Sequence, residues 1–281
     1  MTAQIDDIIL RALAEDAPWG DVTSEAFVPA GAEAVASLVA REEGVLSGIE
    51  VFARVFALVD ADTVVETRLE DGEPFAPGAV LARVSGNAHA VLRAERIALN
   101  LVQRMSGIAS LTARYVAETA GTRARIVDTR KTTPGLRILE RQAVRDGGGR
   151  NHRFSLSDAA MAKDNHLAVL AASGVSIGDA IRGARARLGH TVHLEVEVDR
   201  IDQIEEVVAA GVDTIMLDNF TPDQLREGIA VVAGRALVEA SGGVNLDTVR
   251  EIAQTGVDVI SVGALTHSVR SLDLGLDVTV A

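Results

Sequence analysis

The chain has no cysteine among its 281 residues. That excludes disulfides, a thiolate metal site and a cysteine nucleophile. Aromatic residues are scarce, at 3%, so the core must be built mainly from Ala, Val, Leu and Ile. No apolar stretch approaches the roughly 18 residues needed to span a bilayer. Met1 to Asp16 carries acids and no long apolar run, which argues against a signal peptide or a membrane anchor. Positive charge is in the minority, with 27 Lys and Arg against 40 Asp and Glu and a net charge of −13. That balance argues against nucleic acid or an anionic membrane as partner, and a cytoplasmic setting is the resulting expectation. Lysine is nearly missing: Lys131 and Lys163 are the only two.

What is present suits a globular protein. The hydrophobic fraction is 48% and the charged fraction 24%, and the length suggests one large or two modest domains. Ile5, Ile8, Ile9 and Leu13 recur at helical spacing, and Pro18-Trp19-Gly20-Asp21 ends that helix. Strands are expected at Val35–Ala40, Thr63–Leu69 and Val80–Val84, a helix at Ile49–Leu58, and turns at Glu73-Pro74 and Pro77-Gly78. The result is a small mixed α+β domain. Ala88 to Ala120 reads as helical with one break near Ser106-Gly107, bridging to a second domain.

After Gly121 short apolar runs alternate with helical ones. Strands are expected at Arg125–Val127, Ala159–Ala162, Val192–Val198, Thr214–Leu217, Ala236–Ala240 and Val259–Val262. Helices are expected at Asp202–Ala210, Pro222–Ala233 and Leu246–Thr255, the second with Thr221 as its N-cap. Strand, loop, helix and Gly in succession mark parallel βαβ units, in a barrel or a doubly wound sheet. Leu272 to Val280 alternates like one more strand, returning to the first domain.

The most charged stretch runs from Arg123 to Arg153, with nine bases and three acids, a local balance of +6. Charge of one sign gathered in one place focuses a field, and its natural guest is a polyanion. Both lysines lie in polar clusters, and a lysine offers a compact point charge that arginine's planar fork cannot imitate. Polar residues also fall at the C-terminal ends of the expected strands, where a barrel keeps its active site. These are Asp128 to Lys131, Lys163 to His166, Glu195 and Glu197, Asp218, Ser241 to Gly243, and Gly263 to His267. The last two are small-residue loops leading into helices, suited to phosphate; tight turns between elements are the alternative. Glu195 and Glu197 alternate along one strand and share a face. With Asp218 they make an oxygen-ligand set for Mg²⁺, while ion pairing with the arginine-rich stretch stays open for one of them.

Taken together, Glu95 to Asn100, Asp128 to Gly135, Gly147 to Arg153, Lys163 to His166, Leu217 to Asn219, Ser241 to Gly243 and Gly263 to Ser268 resemble the quinolinate phosphoribosyltransferases. The resemblance covers nearly the whole chain in order. It implies an α/β protein: an N-terminal α/β sandwich domain (1–106, rejoined by the tail 270–281) and an incomplete α/β barrel (107–269) of the type II phosphoribosyltransferase kind. It implies the ligands phosphoribosyl pyrophosphate, quinolinate and Mg²⁺, and a homodimer with shared active sites in which Arg96 reaches the partner's site. It implies phosphoribosyl transfer to quinolinate with decarboxylation, giving nicotinate mononucleotide. The expected substrate-binding residues are Arg96, Thr129, Arg130, Lys131, His152, Arg153, Lys163, Glu195, Glu197, Asp218, Ser241, Gly242, Gly243, Gly263 and His267. Lys131, Lys163, Glu197 and Asp218 are the expected catalytic group, with Glu197 and Asp218 on the metal. Two other readings share parts of this pattern. A paralogue group associated with molybdenum transport tends to lack the Lys-Asp-Asn-His run, intact here as Lys163 to His166. A non-catalytic phosphometabolite-binding protein has no need of the full set of lysines and carboxylates.

Overall fold

The computed structural model describes residues 2–279. Val280, the last residue of the expected C-terminal strand, lies outside the described residues. The chain opens with α1 (Thr2–Asp16), which buries Ile9 and Leu13. Asp21 starts a second helix, α2 (Val22–Phe27), its carboxylate accepting the amide N–H of Thr23 and Ser24 at 3.0 and 3.1 Å. Then come β1 (Glu33–Ala40), β2 (Gly44–Val45), α3 (Ile49–Val59), β3 (Val64–Thr67), β4 (Pro74–Phe75) and β5 (Val80–Asn87). The turn expected at Glu73-Pro74 supplies a short strand instead, because Pro74 and Phe75 pair with Val45 and Gly44.

α4 runs unbroken from Ala88 to Glu118, against the expected break at Ser106-Gly107. Gly107 is there for space. A Cβ on it would lie 2.2 Å from the Arg270 carbonyl oxygen, so the glycine admits a neighbouring backbone without leaving the helix.

The remaining elements are β6 (Arg125–Val127), α5 (Arg137–Asp146), β7 (Ala160–Ala162), α6 (Asp164–Ala172), α7 (Ile177–Arg187), β8 (Leu194–Val198), a 3₁₀ turn (Ile201–Gln203) leading into α8 (Ile204–Ala209), β9 (Thr214–Asp218), α9 (Pro222–Val232), β10 (Leu237–Ser241), α10 (Val249–Gln254), β11 (Val259–Ser261), α11 (Ala264–His267) and β12 (Leu274–Thr279). α9 begins with Pro222 and a reciprocal cap between Thr221 and Gln224.

The chain divides into two compact units. The first comprises Met1–Ala113, Thr132–Gly148 and Leu265–Ala281. Its main sheet has the order β12-β1-β5-β3, all antiparallel. The returning tail thus forms an edge strand, with Thr279 opposite Val35. Phe52, Phe56, Leu38 and Leu81 are among its largest fully buried side chains.

The second unit comprises Arg114–Lys131 and Gly149–Ala264. Residues 132–148, expected within the barrel, cluster with the first unit instead. The sheet of the second unit is parallel, in the order β6-β11-β10-β9-β8-β7. Around a ring this order is consecutive and is interrupted only between β6 and β7. The sheet is therefore a barrel left open at one seam, where a single bridge from Val127 to Arg150 lies beside β6.

Candidate active site

Strand register decides which side chains meet inside the barrel. Glu197 pairs across to Met216, and Met216 to Glu239. Asp218 pairs with Ser241, one layer nearer the C-terminal ends. Side chains two residues apart share a face, so Glu195 and Glu197, Met216 and Asp218, and Glu239 and Ser241 all point one way. A cavity of about 410 Å³ opens at this end, and Met161, Glu197, Met216, Asp218, Glu239, Ser241 and Ser261 line it. Its other walls are Thr129, Arg130, Lys131, His152, Arg153 and Lys163.

The loop after β6 is held from within. Asp128 is fully buried and accepts hydrogen bonds from the Asn151 amide group at 2.6 Å and the His152 backbone N–H at 2.7 Å. One strand-end carboxylate thereby fixes both basic segments, Thr129 to Lys131 and His152 to Arg153. The Arg153 guanidinium donates to the Ala159 carbonyl at 2.9 Å. Burial, and then the nearby charge of Arg130, lower its proton affinity from the usual arginine value. Lys163 forms an ion pair with Glu197.

At the base of the cavity His152 meets two buried glutamates, forming a trio. His152 Nε2 is 3.2 Å from Glu195 and 3.5 Å from Glu239, and both glutamates are 3% exposed. Burial alone would disfavour an imidazolium, but hydrogen bonds and attraction from the two carboxylates outweigh it and push proton uptake at His152 up to about 10. Burial, and next the charge of Glu239, raise the Glu195 carboxyl. The Arg153 backbone N–H donates to His152 Nδ1 at 2.7 Å. That nitrogen accepts, so the ring carries its proton on Nε2, facing the two carboxylates.

The Ser241-Gly242 turn is interlocked with Asp218-Asn219. Gly242 has φ +85°, and a Cβ there would come within 2.2 Å of Asn219 Oδ1. Asn219 donates its backbone N–H to the Ser241 carbonyl at 2.8 Å and its side-chain amide to Asp218 at 2.6 Å. The turn thus orients the carboxylate.

Of the residues expected from sequence, Thr129, Arg130, Lys131, His152, Arg153, Lys163, Glu197, Asp218 and Ser241 share the cavity. Glu195 does not join Glu197 and Asp218; it is withdrawn against His152. Gly242, Gly243 and Gly263 flank the strand ends without lining the cavity. Arg96 and His267 belong to the first unit, and both are exposed. Arg96 therefore carries no burial penalty. The +6 stretch does not all face one cavity either. Arg137, Arg141 and Arg145 lie on α5 in the first unit, Arg123 pairs with Asp258 at 3.3 Å, and Arg125 begins β6 at the far end from the cavity. Sequence reading missed Met161, Met216, Ser261 and Glu239. Glu239 had a signal: a lone carboxylate in an apolar strand, two residues before Ser241. The methionines had none.

A metal ion is testable on the donor set. Glu197 and Asp218 end adjacent strands and both line the cavity. Two carboxylates fit Mg²⁺, which completes its shell with water and substrate phosphate. The one compact His and carboxylate cluster among the described residues is His152, Glu195 and Glu239.

Comparison with known proteins gives a consistent picture. Residues 21–106 match the family model "Quinolinate phosphoribosyl transferase, N-terminal domain", and residues 108–277 match "Quinolinate phosphoribosyl transferase, C-terminal domain". The nicotinate-nucleotide pyrophosphorylase [carboxylating] of Mycobacterium leprae (strain TN) is 45% identical, over 96% of each chain. The probable enzyme of that name from Bacillus subtilis (strain 168) is 42% identical, over 99% of this chain and 94% of its own. The crystal structure of NadC from Streptococcus pyogenes superposes with a TM-score of 0.95 at 43% identity, covering 100% of this chain and 98% of that one.

Proposed function

The chain belongs to the quinolinate phosphoribosyltransferase family, and from that premise we propose that it is a nicotinate-nucleotide pyrophosphorylase (carboxylating). It transfers the phosphoribosyl group of phosphoribosyl pyrophosphate to quinolinate, giving nicotinate mononucleotide, pyrophosphate and CO₂ for NAD biosynthesis. The observation that carries the reading is one cavity holding Arg130, Lys131, Arg153 and Lys163 against Glu197 and Asp218. A small dianion and a polyphosphate need that cationic wall, and a metal-bound pyrophosphate needs those carboxylates.

The side chains divide the work. Arg130 and Arg153 offer planar forks to the two ring carboxylates. Lys131 and Lys163 supply compact charge where quinolinate meets pyrophosphate. As the pyridine nitrogen attacks the anomeric carbon, the sugar becomes cation-like and negative charge grows on the departing pyrophosphate, which the lysines offset. Glu197 pairs with Lys163, which keeps its carboxylate oriented at the cavity. Glu197 and Asp218 would hold Mg²⁺, whose chemistry is to neutralise the leaving pyrophosphate. Loss of the ring's 2-carboxylate as CO₂ needs no general base: the electron pair left on C2 is stabilised by the adjacent quaternary nitrogen and takes up a proton from water. The remaining task is orientation. The Ser241 to Gly243 turn and Gly263 are assigned to phosphate, His267 to the same ligand, and Arg96 to the partner's quinolinate in a homodimer. A cytoplasmic setting belongs to the same reading.

The deciding experiment mixes the purified protein with phosphoribosyl pyrophosphate, Mg²⁺ and quinolinate. Stoichiometric nicotinate mononucleotide and CO₂ are expected. Binding of both ligands without product would sink the proposal and favour a phosphometabolite-binding protein.

A further inference from the structure

The buried trio has more carboxylate than His152 needs. Glu239 Oε1 and Glu195 Oε1 are both buried with no hydrogen-bond partner, an arrangement that persists only where something else requires it. Two candidates exist: a bound cation, or the placement of His152. The surroundings disfavour the cation, because Arg130, Arg153 and Lys163 face the same space. They favour placement, because both ring nitrogens of His152 are already engaged. Nε2 points at the glutamates, and Nδ1 receives the backbone N–H of Arg153. A ring so occupied is poorly disposed to bind substrate through its nitrogens.

We propose that Glu239 is a positioning residue: with Glu195 it pins the His152 ring from the barrel interior, and His152 in turn fixes the backbone that carries Arg153. The linkage runs from β10 through the ring to the backbone N–H of Arg153, three side chains from two strands and a loop acting on one guanidinium. It rests on the reading of Arg153 as the fork that grips a substrate carboxylate. It also reassigns His152 from substrate ligand to support. Arg153 and His193 also act electrostatically on Glu195, and Arg130, Lys131, Lys163, Glu197 and Asp218 line the cavity shared with His152 and Glu239.

The test compares Glu239→Leu with Glu239→Gln. Leucine cannot accept from Nε2, whereas the glutamine carbonyl can. Support groups of this kind typically contribute about 10–100-fold. Glu239→Leu should raise KM for quinolinate about tenfold or more, leave KM for phosphoribosyl pyrophosphate within about twofold, and change kcat little; Glu239→Gln should recover most of the loss. An unchanged quinolinate KM in Glu239→Leu, or equal losses in kcat and both KM values, would overturn the proposal. A measurement on the wild type needs no variant activity. Nitrogen NMR of histidine-labelled protein, with His152 assigned by its absence in His152→Asn, should show the proton on Nε2 and a bare Nδ1 at pH 7. A protonated Nδ1, or one equivalent of tightly bound metal lost in Glu239→Gln, would also overturn it. An inactive wild type with the expected NMR signature would remove the proposed activity and leave the linkage standing.

Discussion

Arg153 is the residue on which most of the site's geometry converges. Its backbone donates to His152, its guanidinium donates to Ala159, and the carboxylate of Asp128 anchors the turn it stands on. A lysine there would keep the charge and lose the fork. Arg153→Lys should raise KM for quinolinate about 10–100-fold, the value of a lost charge-assisted hydrogen bond at about 1.5–3 kcal/mol, with the melting temperature little changed. Steady-state kinetics with each substrate varied would check this. At this scale much was legible in the sequence, because charge and glycine stand out against an apolar background. Arg130, Lys131, Lys163, Glu197 and Asp218 announce themselves at strand ends. The withdrawal of Glu195 was not legible. Glu195 and Glu197 share a face and differ by one layer of depth, and depth depends on which loop side chain descends into the barrel. Here it is His152.

Among elements, α5 and the loop before it depend on one buried ion pair. Glu140 is 1% exposed and accepts from the Arg104 side chain at 2.8 Å and from the Thr133 N–H at 3.1 Å. Arg104 also donates to the Thr133 hydroxyl and the Thr266 carbonyl, each at 2.9 Å. Removing one partner strands a buried charge, so Glu140→Ala should lower stability by about 3–5 kcal/mol, measured by urea unfolding. The C-terminal strand has a weaker tie. Hydrogen bonds from Arg270, and next from the Asp273 N–H, hold the Glu42 carboxyl down at about 2 from 4.5. A depressed acid stabilises the fold above its unfolded pKa and loses that contribution as pH falls toward 2. Thermal melts of Glu42→Gln should therefore show a flatter decline between pH 4.5 and 2 than wild type; the shift will be small, since Arg270 is exposed. Element type was readable wherever periodicity was strong, as in α3, α9 and the six parallel strands. α6 and α7 escaped notice because apolar periodicity is weak in both: none of the described side chains of α6 is buried, and in α7 only Gly178 and Ile181 are. The expected break in α4 failed because Gly107 answers to a neighbour's backbone, which the sequence around it does not contain.

At the scale of the whole molecule, the resemblance made the family and the barrel legible, while the division of the chain into units followed packing rather than sequence order. A homodimer with shared sites remains a proposal, and subunit mixing tests it. Arg96→Ala and Lys131→Ala should each be nearly inactive; after random exchange roughly a quarter of wild-type activity should return, because a two-fold hybrid contains one intact site. Hybrids shown to form without recovery would mean that Arg96 serves its own chain. The first unit is assembled from three separate segments of the chain. Its sheet pairs Val35 with Thr279, residues 244 apart in sequence. A ribosome adding roughly 5–20 residues per second delivers the second partner on the order of ten seconds to a minute after the first. Throughout that interval β1 has one bare edge, a template for pairing with other nascent chains. Residues Leu274 to Thr279 therefore carry a duty early in the protein's life: they close the edge that β1 has left open.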